Sequence, residues 1–132
     1  PSQSPTAQLF MGIPGVGAIT ALTFIAAIDE PRRFHTASQL GSYIGLVPRV
    51  YQTGESLRVG GITKRGNFYL RKTLFQAAMV HLTRCKQSTL IQEWGLRVAA
   101  RRGRKRAIIG CARKLAIVMH RMWITGEEYR AT

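Results

Sequence analysis

The chain has 132 residues, 45% of them hydrophobic, and carries twenty Lys and Arg against six Asp and Glu, a net charge of +14. That length can bury one domain's core, and that apolar fraction excludes a disordered basic tail. The charge demands a polyanionic partner, with nucleic acid favoured over an anionic membrane surface, because neutralising phosphates releases counterions.

Residues 4–10 read as a short helix. The sequence GIPGVG at 12–17 follows, and then a run of small and apolar residues. Gly15 and Gly17 permit a sharp turn, and the helix after it, residues 16–28, offers unpaired N–H groups to a phosphate. The spacing fits a helix-hairpin-helix motif, or a glycine-rich connection without a ligand. Helix 16–28 is apolar nearly all round, which predicts the buried centre of the domain. Pro31 ends it. Phe34 plugs the core, Thr36 caps a helix over Ala37–Ile44, and Gly45 terminates that helix in the left-handed region.

Residues 50–63 are the least helical, and an irregular or short β insertion is expected there. The stretch GESLRVGGITKRGNFYLR, 54–71, gathers glycines, hydroxyls and cations with one acid, Glu55. Asn67 is expected to cap a helix opening at Phe68. A helix start ringed by Arg58, Lys64, Arg65, Arg71 and Lys72 is a phosphate site in waiting. Leu70, Leu74, Ala77, Ala78 and Leu82 give helical spacing over 68–85, where His81 reads as structural rather than catalytic.

Ser88 is expected to cap the next helix, 89–101, whose inner face would be Leu90, Trp94 and Val98. Residues 101–106, RRGRKR, form a basic hinge. Such hinges are usually solvated connections, but five cations in six residues of so basic a chain favour phosphate contact, with Arg104 and Lys105 as the candidates. The last long helix, 107–124, ends at Gly126. Cys85 and Cys111 lack CxxC spacing and read as buried thiols in a reducing cytosol. There is no Walker loop, dinucleotide fingerprint, carboxylate cluster or metal-ligand spacing. No apolar run could span a bilayer, so no membrane partner is expected. The fold expected is mainly α, a helical bundle with a helix-hairpin-helix-like motif.

Several stretches together resemble the C-terminal transposase domain of the insertion-sequence 110 family, which includes Piv-type DNA invertases and bridge-RNA-guided recombinases. They are IPGVGAITA from Ile13, Phe34 with ASQLGSYIGLVP from Ala37, YQTGE from Tyr51, GITKRGN from Gly61, and Leu70-Arg71. The resemblance runs over nearly the whole chain. It implies that residues 1–132 are a single C-terminal transposase domain, a fragment lacking an N-terminal RuvC-like domain. That missing domain would hold Mg²⁺ on four acids, and this chain would hold no cofactor. The C-terminal domain would supply a serine that attacks DNA and becomes covalently linked to it. That serine stands immediately before the glycine that is Gly54 here, and this chain has Thr53 there. Threonine keeps the hydroxyl but adds a methyl that stiffens χ1. Thr53 is then a tolerated nucleophile, a silencing change, or a neighbour of the working hydroxyl on Ser56. Spacing alone would make Thr53 a turn hydroxyl bonded to its own backbone. The resemblance further implies DNA as partner, with a guide (bridge) RNA, a homo-oligomer in the intact enzyme, and a cytoplasmic, nucleoid-associated location in a prokaryote. The runner-up is a non-catalytic helix-hairpin-helix module binding DNA or structured RNA. An oligomerisation domain ranks third.

Overall fold

Ser4 starts the first helix by accepting a hydrogen bond from the Ala7 N–H at 3.3 Å. The structure, a computed structural model, describes residues 4–46, 63–84 and 89–130, with only the backbone of 63–66. The described residues form α1 (Pro5–Met11), α2 (Ala18–Ile28), a single 3-10 turn (Pro31–Arg33), α3 (Ala37–Ile44), α4 (Thr63–Arg84), α5 (Leu90–Arg102) and α6 (Arg104–Thr125), with no strand among them. Residues 50–62 of the expected insertion lie outside the described residues, and Thr63 is already helical.

The centre is α6, which packs against α1, α3, α4, α5 and the 3-10 turn. The expected centre, the apolar helix after the glycine turn, lies to one side. Its inner face, Ala21, Phe24 and Ile28, is buried, but Ile19 stands 75% exposed. A face is chosen by neighbours, and α2 has neighbours mainly on α1 and α4. In α6, Cys111, Leu115, Met119 and Met122 meet the Leu70, Leu74, Ala78 and Leu82 row of α4 in one core. Each fully buried leucine or phenylalanine contributes about 2 to 3 kcal/mol. Phe10, Phe24 and Trp123 close one end of the core, with ring centroids 5.5 to 6.3 Å apart. Phe34 is buried as expected, against Tyr43 at 5.0 Å.

Two helix starts differ from the sequence expectation. Asn67 is no cap. It lies inside α4, where it is buried and its Nδ2 donates to the Tyr43 carbonyl at 2.6 Å. A bond to a residue 24 positions away holds it there, which no local capping rule can foresee. The cap of α5 is Thr89 rather than Ser88, its side chain accepting from the Gln92 N–H at 3.0 Å. The inner face of α5 shifts with it. Ile91 and Gly95 are buried, Trp94 and Val98 half-buried, and Leu90 is 61% exposed. α5 and α6 approach closely because Gly95 and Gly110 have no side chain. A Cβ on Gly95 would lie 2.5 Å from the Cys111 sulfur, and one on Gly110 2.5 Å from the Trp94 ring. The 101–106 hinge shrinks to one residue. Gly103, at φ 96°, turns the chain, and the cations on either side are helical.

Candidate nucleic-acid interface

Three groups of the expected site residues are strung along α4. At its N-terminal end, Asn67 and Arg71 grip the end of α3. Arg71 NH1 donates to the Ile44 carbonyl at 2.7 Å, beside the Asn67 bond to Tyr43. These carbonyls are orphans of a helix C-terminus, and a cation there also suits the helix dipole. Gly45 completes the stop at φ 87°, and a Cβ on it would come 2.8 Å from Arg71 NH1. Asn67 and Arg71 therefore join the two described ends that flank residues 47–62. Thr53, Ser56 and Arg58 lie among those residues, outside the described part of the chain. Lys64 and Arg65 fall on the first turn of α4 rather than on a glycine turn; their side chains are likewise outside it. Lys72, one residue beyond the clamp, is exposed.

At the other end of α4 sits the turn 12–17. Only one of its two candidate glycines is under conformational constraint. Gly15 has φ 95°, and a Cβ there would meet the Ala77 carbonyl at 2.6 Å. Gly17 has φ −99° and open space around it. It caps α2 without a side-chain bond, and Gly17, Ala18 and Ile19 at that helix start are exposed. The turn is anchored by His81, a fully buried residue. Its Nδ1 lies 2.6 Å from the Pro14 carbonyl and its Nε2 lies 2.7 Å from Thr89 Oγ1. A neutral ring satisfies both, Nδ1–H donating and Nε2 accepting. His81 thus ties the hairpin, α4 and the α5 cap together, which supports its structural reading.

Burial pushes the His81 pKa down, and the Pro14 hydrogen bond opposes this only in part. The unfolded chain therefore takes up a proton below about pH 6.5 that the folded ring resists. Stability contributed by the neutral ring is complete above that value and lost as pH falls toward the folded pKa. Denaturant midpoints measured from about pH 8 to about pH 5 are expected to fall on the acid side, and His81→Gln is expected to flatten that slope. A slope unchanged in the variant would assign it to other groups.

The third group is the basic corner. Arg101, Arg102, Arg104, Lys105 and Arg106 are all exposed. The first two suit the C-terminus of α5. The other three stand in the first turn of α6, where cations oppose the dipole by about 0.3 to 1 kcal/mol each. No acid shares that turn, and among the described residues a single salt bridge forms, Arg130–Glu127 at 3.9 Å. None of these five cations is in a salt bridge among the described residues. From Asn67 to His81 is 14 residues of helix, about 20 Å at 1.5 Å per residue. The turn 12–17 and the Asn67–Arg71 clamp therefore lie at opposite ends of this stretch of α4. Cys111 lies between α5 and α6; burial raises its thiol pKa to about 11, with Lys114 opposing, so the thiol is inert. Cys85 lies outside the described residues.

A family model described as "Transposase IS116/IS110/IS902 family" matches residues 7–94. The chain is 37% identical over 124 residues to the transposase for insertion sequence element IS1111A of Coxiella burnetii, covering 93% of this chain and 34% of that protein. It is 39% identical over 90 residues to the transposase for insertion sequence element IS1328 of Yersinia enterocolitica, 67% of this chain and 27% of that one. A pilin gene-inverting protein of Moraxella bovis is 36% identical over 81 residues, 61% of this chain and 25% of that one. The chain thus spans about a third or less of the length of these relatives. No solved structure matches it.

Proposed function

The chain belongs to the IS116/IS110/IS902 transposase family, and from that premise we propose that it is the DNA-binding, nucleophile-bearing part of an enzyme that cuts and rejoins DNA. The observation that carries this reading is the family match itself, which spans the Thr53–Gly54 position and the cations on either side of it. The Thr53 hydroxyl oxygen attacks the phosphorus of a phosphodiester. A phosphothreonine ester forms, the bond to the leaving sugar oxygen breaks, and that oxygen departs with the proton. A second strand's hydroxyl then attacks the ester, releases threonine and reseals the backbone. Gly54 leaves room for the phosphate to approach, and Arg58, Lys64 and Arg65 supply the donors that a developing phosphorane charge requires. Ser56 is the substitute hydroxyl.

A neutral hydroxyl needs a base to take its proton, or a metal that acidifies it so that solvent can. The resemblance places the acids that would hold Mg²⁺ on an N-terminal domain, outside the residues of this chain. Among the described residues no three of His, Cys, Asp and Glu come together. The isolated chain is accordingly inert in cleavage. Its hairpin binds in helix-hairpin-helix fashion, the open start of α2 at Gly17 meeting one phosphate and the basic corner at Arg104 and Lys105 meeting others. Asn67 and Arg71 hold the end of α3 against the start of α4, the two described ends on either side of the residues that include Thr53. In the intact enzyme a guide RNA and a second copy complete the assembly.

Binding of the chain to duplex DNA is expected to be salt-dependent and weakly sequence-specific, with a log–log slope of about −0.9 per phosphate contacted. Affinity measured over a salt series checks this, and a flat dependence would remove the electrostatic reading. The chemistry is tested in the full-length protein with suicide DNA substrates and peptide mass mapping. The adduct is expected on the peptide containing Thr53. An adduct elsewhere, or none, overturns the assignment.

A further inference from the structure

Arg113 of α6 lies against α3 at Gly41. A Cβ on Gly41 would stand 3.0 Å from Arg113 Nε and 3.7 Å from its Nη2, so the glycine is what admits the guanidinium. Glycine inside a helix weakens that helix relative to alanine. Burying part of a cation also costs solvation that only a counter-charge or a full set of acceptors returns. The elements that meet there supply neither. α3, α4 and α6 contain no acid. Arg113 Nε is buried without a hydrogen-bond partner, and Arg113 is in no salt bridge among the described residues. The Gly41 carbonyl already accepts from the N–H groups of Gly45 and Leu46, at 2.9 and 2.8 Å. Arg71 makes the contrast. It reaches α3 one turn further on, beside Gly45, and donates to the Ile44 carbonyl.

We propose that Arg113 is a fixed phosphate contact, its terminal nitrogens taking the two non-bridging oxygens of one backbone phosphodiester. The proposal rests on the proposed nucleic-acid-binding function and adds to it a residue at the junction of α3 and α6. The Nε–Nη2 edge is held against α3 and the residue is half-buried. The outer fork is left for a ligand of matching geometry, and a phosphate offers two oxygens to it. An arginine already held by packing loses less side-chain freedom on binding than the exposed Arg104 and Lys105 do. Arg106 is exposed and precedes Arg113 by seven residues, so it shares that side of α6 about 10 Å away along the helix. One backbone can therefore run from the basic corner to α3.

The test titrates the 132-residue chain with labelled DNA and RNA duplexes of equal length over a salt series, by fluorescence anisotropy. Arg113→Met keeps an apolar stem and removes the charged fork. It is expected to weaken binding of at least one duplex about tenfold at low salt and to flatten its log–log slope by about 0.9, the contribution of one phosphate. Whichever duplex loses affinity, the deoxyribose or the ribose one, identifies the source of the phosphate. Arg97→Met removes the same charge from an exposed position on α5 and is expected to weaken binding less than about twofold. Because no counter-charge meets Arg113 among the described residues, the urea midpoint of Arg113→Met is expected to equal or exceed that of the unaltered chain. Equal losses in the two variants would show that only net charge counts and would overturn the proposal. Unchanged affinity for both duplexes would also overturn it, and a lowered urea midpoint would then assign Arg113 to a carboxylate inside the protein. Failure of the unaltered chain to bind either duplex at low salt would instead overturn the function it rests on. Should Arg113→Met not fold, phenylglyoxal labelling of the unaltered chain, read by peptide mass, decides the matter. The peptide bearing Arg113 is expected to be modified in the free chain and protected by saturating duplex, and equal modification in both refutes the site.

Discussion

Gly15→Ala is expected to destabilise the chain by about 4 kcal/mol, whereas Gly17→Ala, two residues away, is expected to change stability by less than about 1 kcal/mol. Two costs combine at Gly15. Its φ of 95° lies where an L side chain is strained by about 1 to 2 kcal/mol. Its new Cβ would also sit 2.6 Å from the Ala77 carbonyl and 3.0 Å from the His81 nitrogen. Both are backbone atoms of α4 and cannot swing aside, so the turn must lift. Lifting it breaks the 2.6 Å contact of Pro14 with His81, and an unpaired buried polar group costs about 1 to 3 kcal/mol. For a domain of this size the melting temperature is expected to drop by more than about 10 °C. Urea unfolding followed by far-UV circular dichroism checks both variants. Equal stability of the two would mean that His81 does not hold the turn.

The same pair of glycines marks the boundary of what sequence reasoning reaches. Both occupy GIPGVG, and both read as turn glycines. Only the packing of Ala77 and His81 onto the turn distinguishes them. Helix ends written in local chemistry were legible. Thr36 caps α3, and Gly45 and Gly126 adopt the left-handed conformation expected of C-terminal stops. Ends decided by distant partners were not. Local chemistry alone starts α4 at Phe68, because Asn67 is a good cap, whereas Tyr43 claims the Asn67 side chain inside a longer helix. The basic corner kept its exposure but lost its hinge, since arginine and lysine are good helix formers and need only Gly103 to break them. The phosphate-binding reading of Lys72, Arg104 and Lys105 is compatible with their exposure. Arg71 and Asn67 were marked for the same role by their neighbours in sequence, yet they are engaged with carbonyls of α3. The Arg113 contact was invisible to periodicity, because Gly41 and Arg113 meet only when α3 packs on α6.

In the full-length enzyme, Thr53→Val is expected to lower strand cleavage by about 10⁴-fold or more, and Thr53→Ser to raise it by about fivefold. Valine keeps the branched shape of threonine and removes the hydroxyl oxygen on which the proposed phosphate ester depends. Its effect is therefore chemical rather than steric, and the folded chain should be as stable as before. Losing a covalent nucleophile removes a whole pathway, which explains a loss far larger than any packing change in this domain could produce. Serine removes only the γ-methyl. A β-branched side chain has a restricted χ1, and forcing it off its preferred rotamer during attack costs on the order of 1 kcal/mol, which is about fivefold in rate. Single-turnover cleavage of a suicide substrate measures all three proteins, with duplex affinity of each as the control. Unchanged affinity with lost cleavage in Thr53→Val places the hydroxyl at the chemical step. Cleavage retained in Thr53→Val but lost in Ser56→Ala would move the nucleophile three residues along the chain, onto the other hydroxyl beside Gly54 and Glu55.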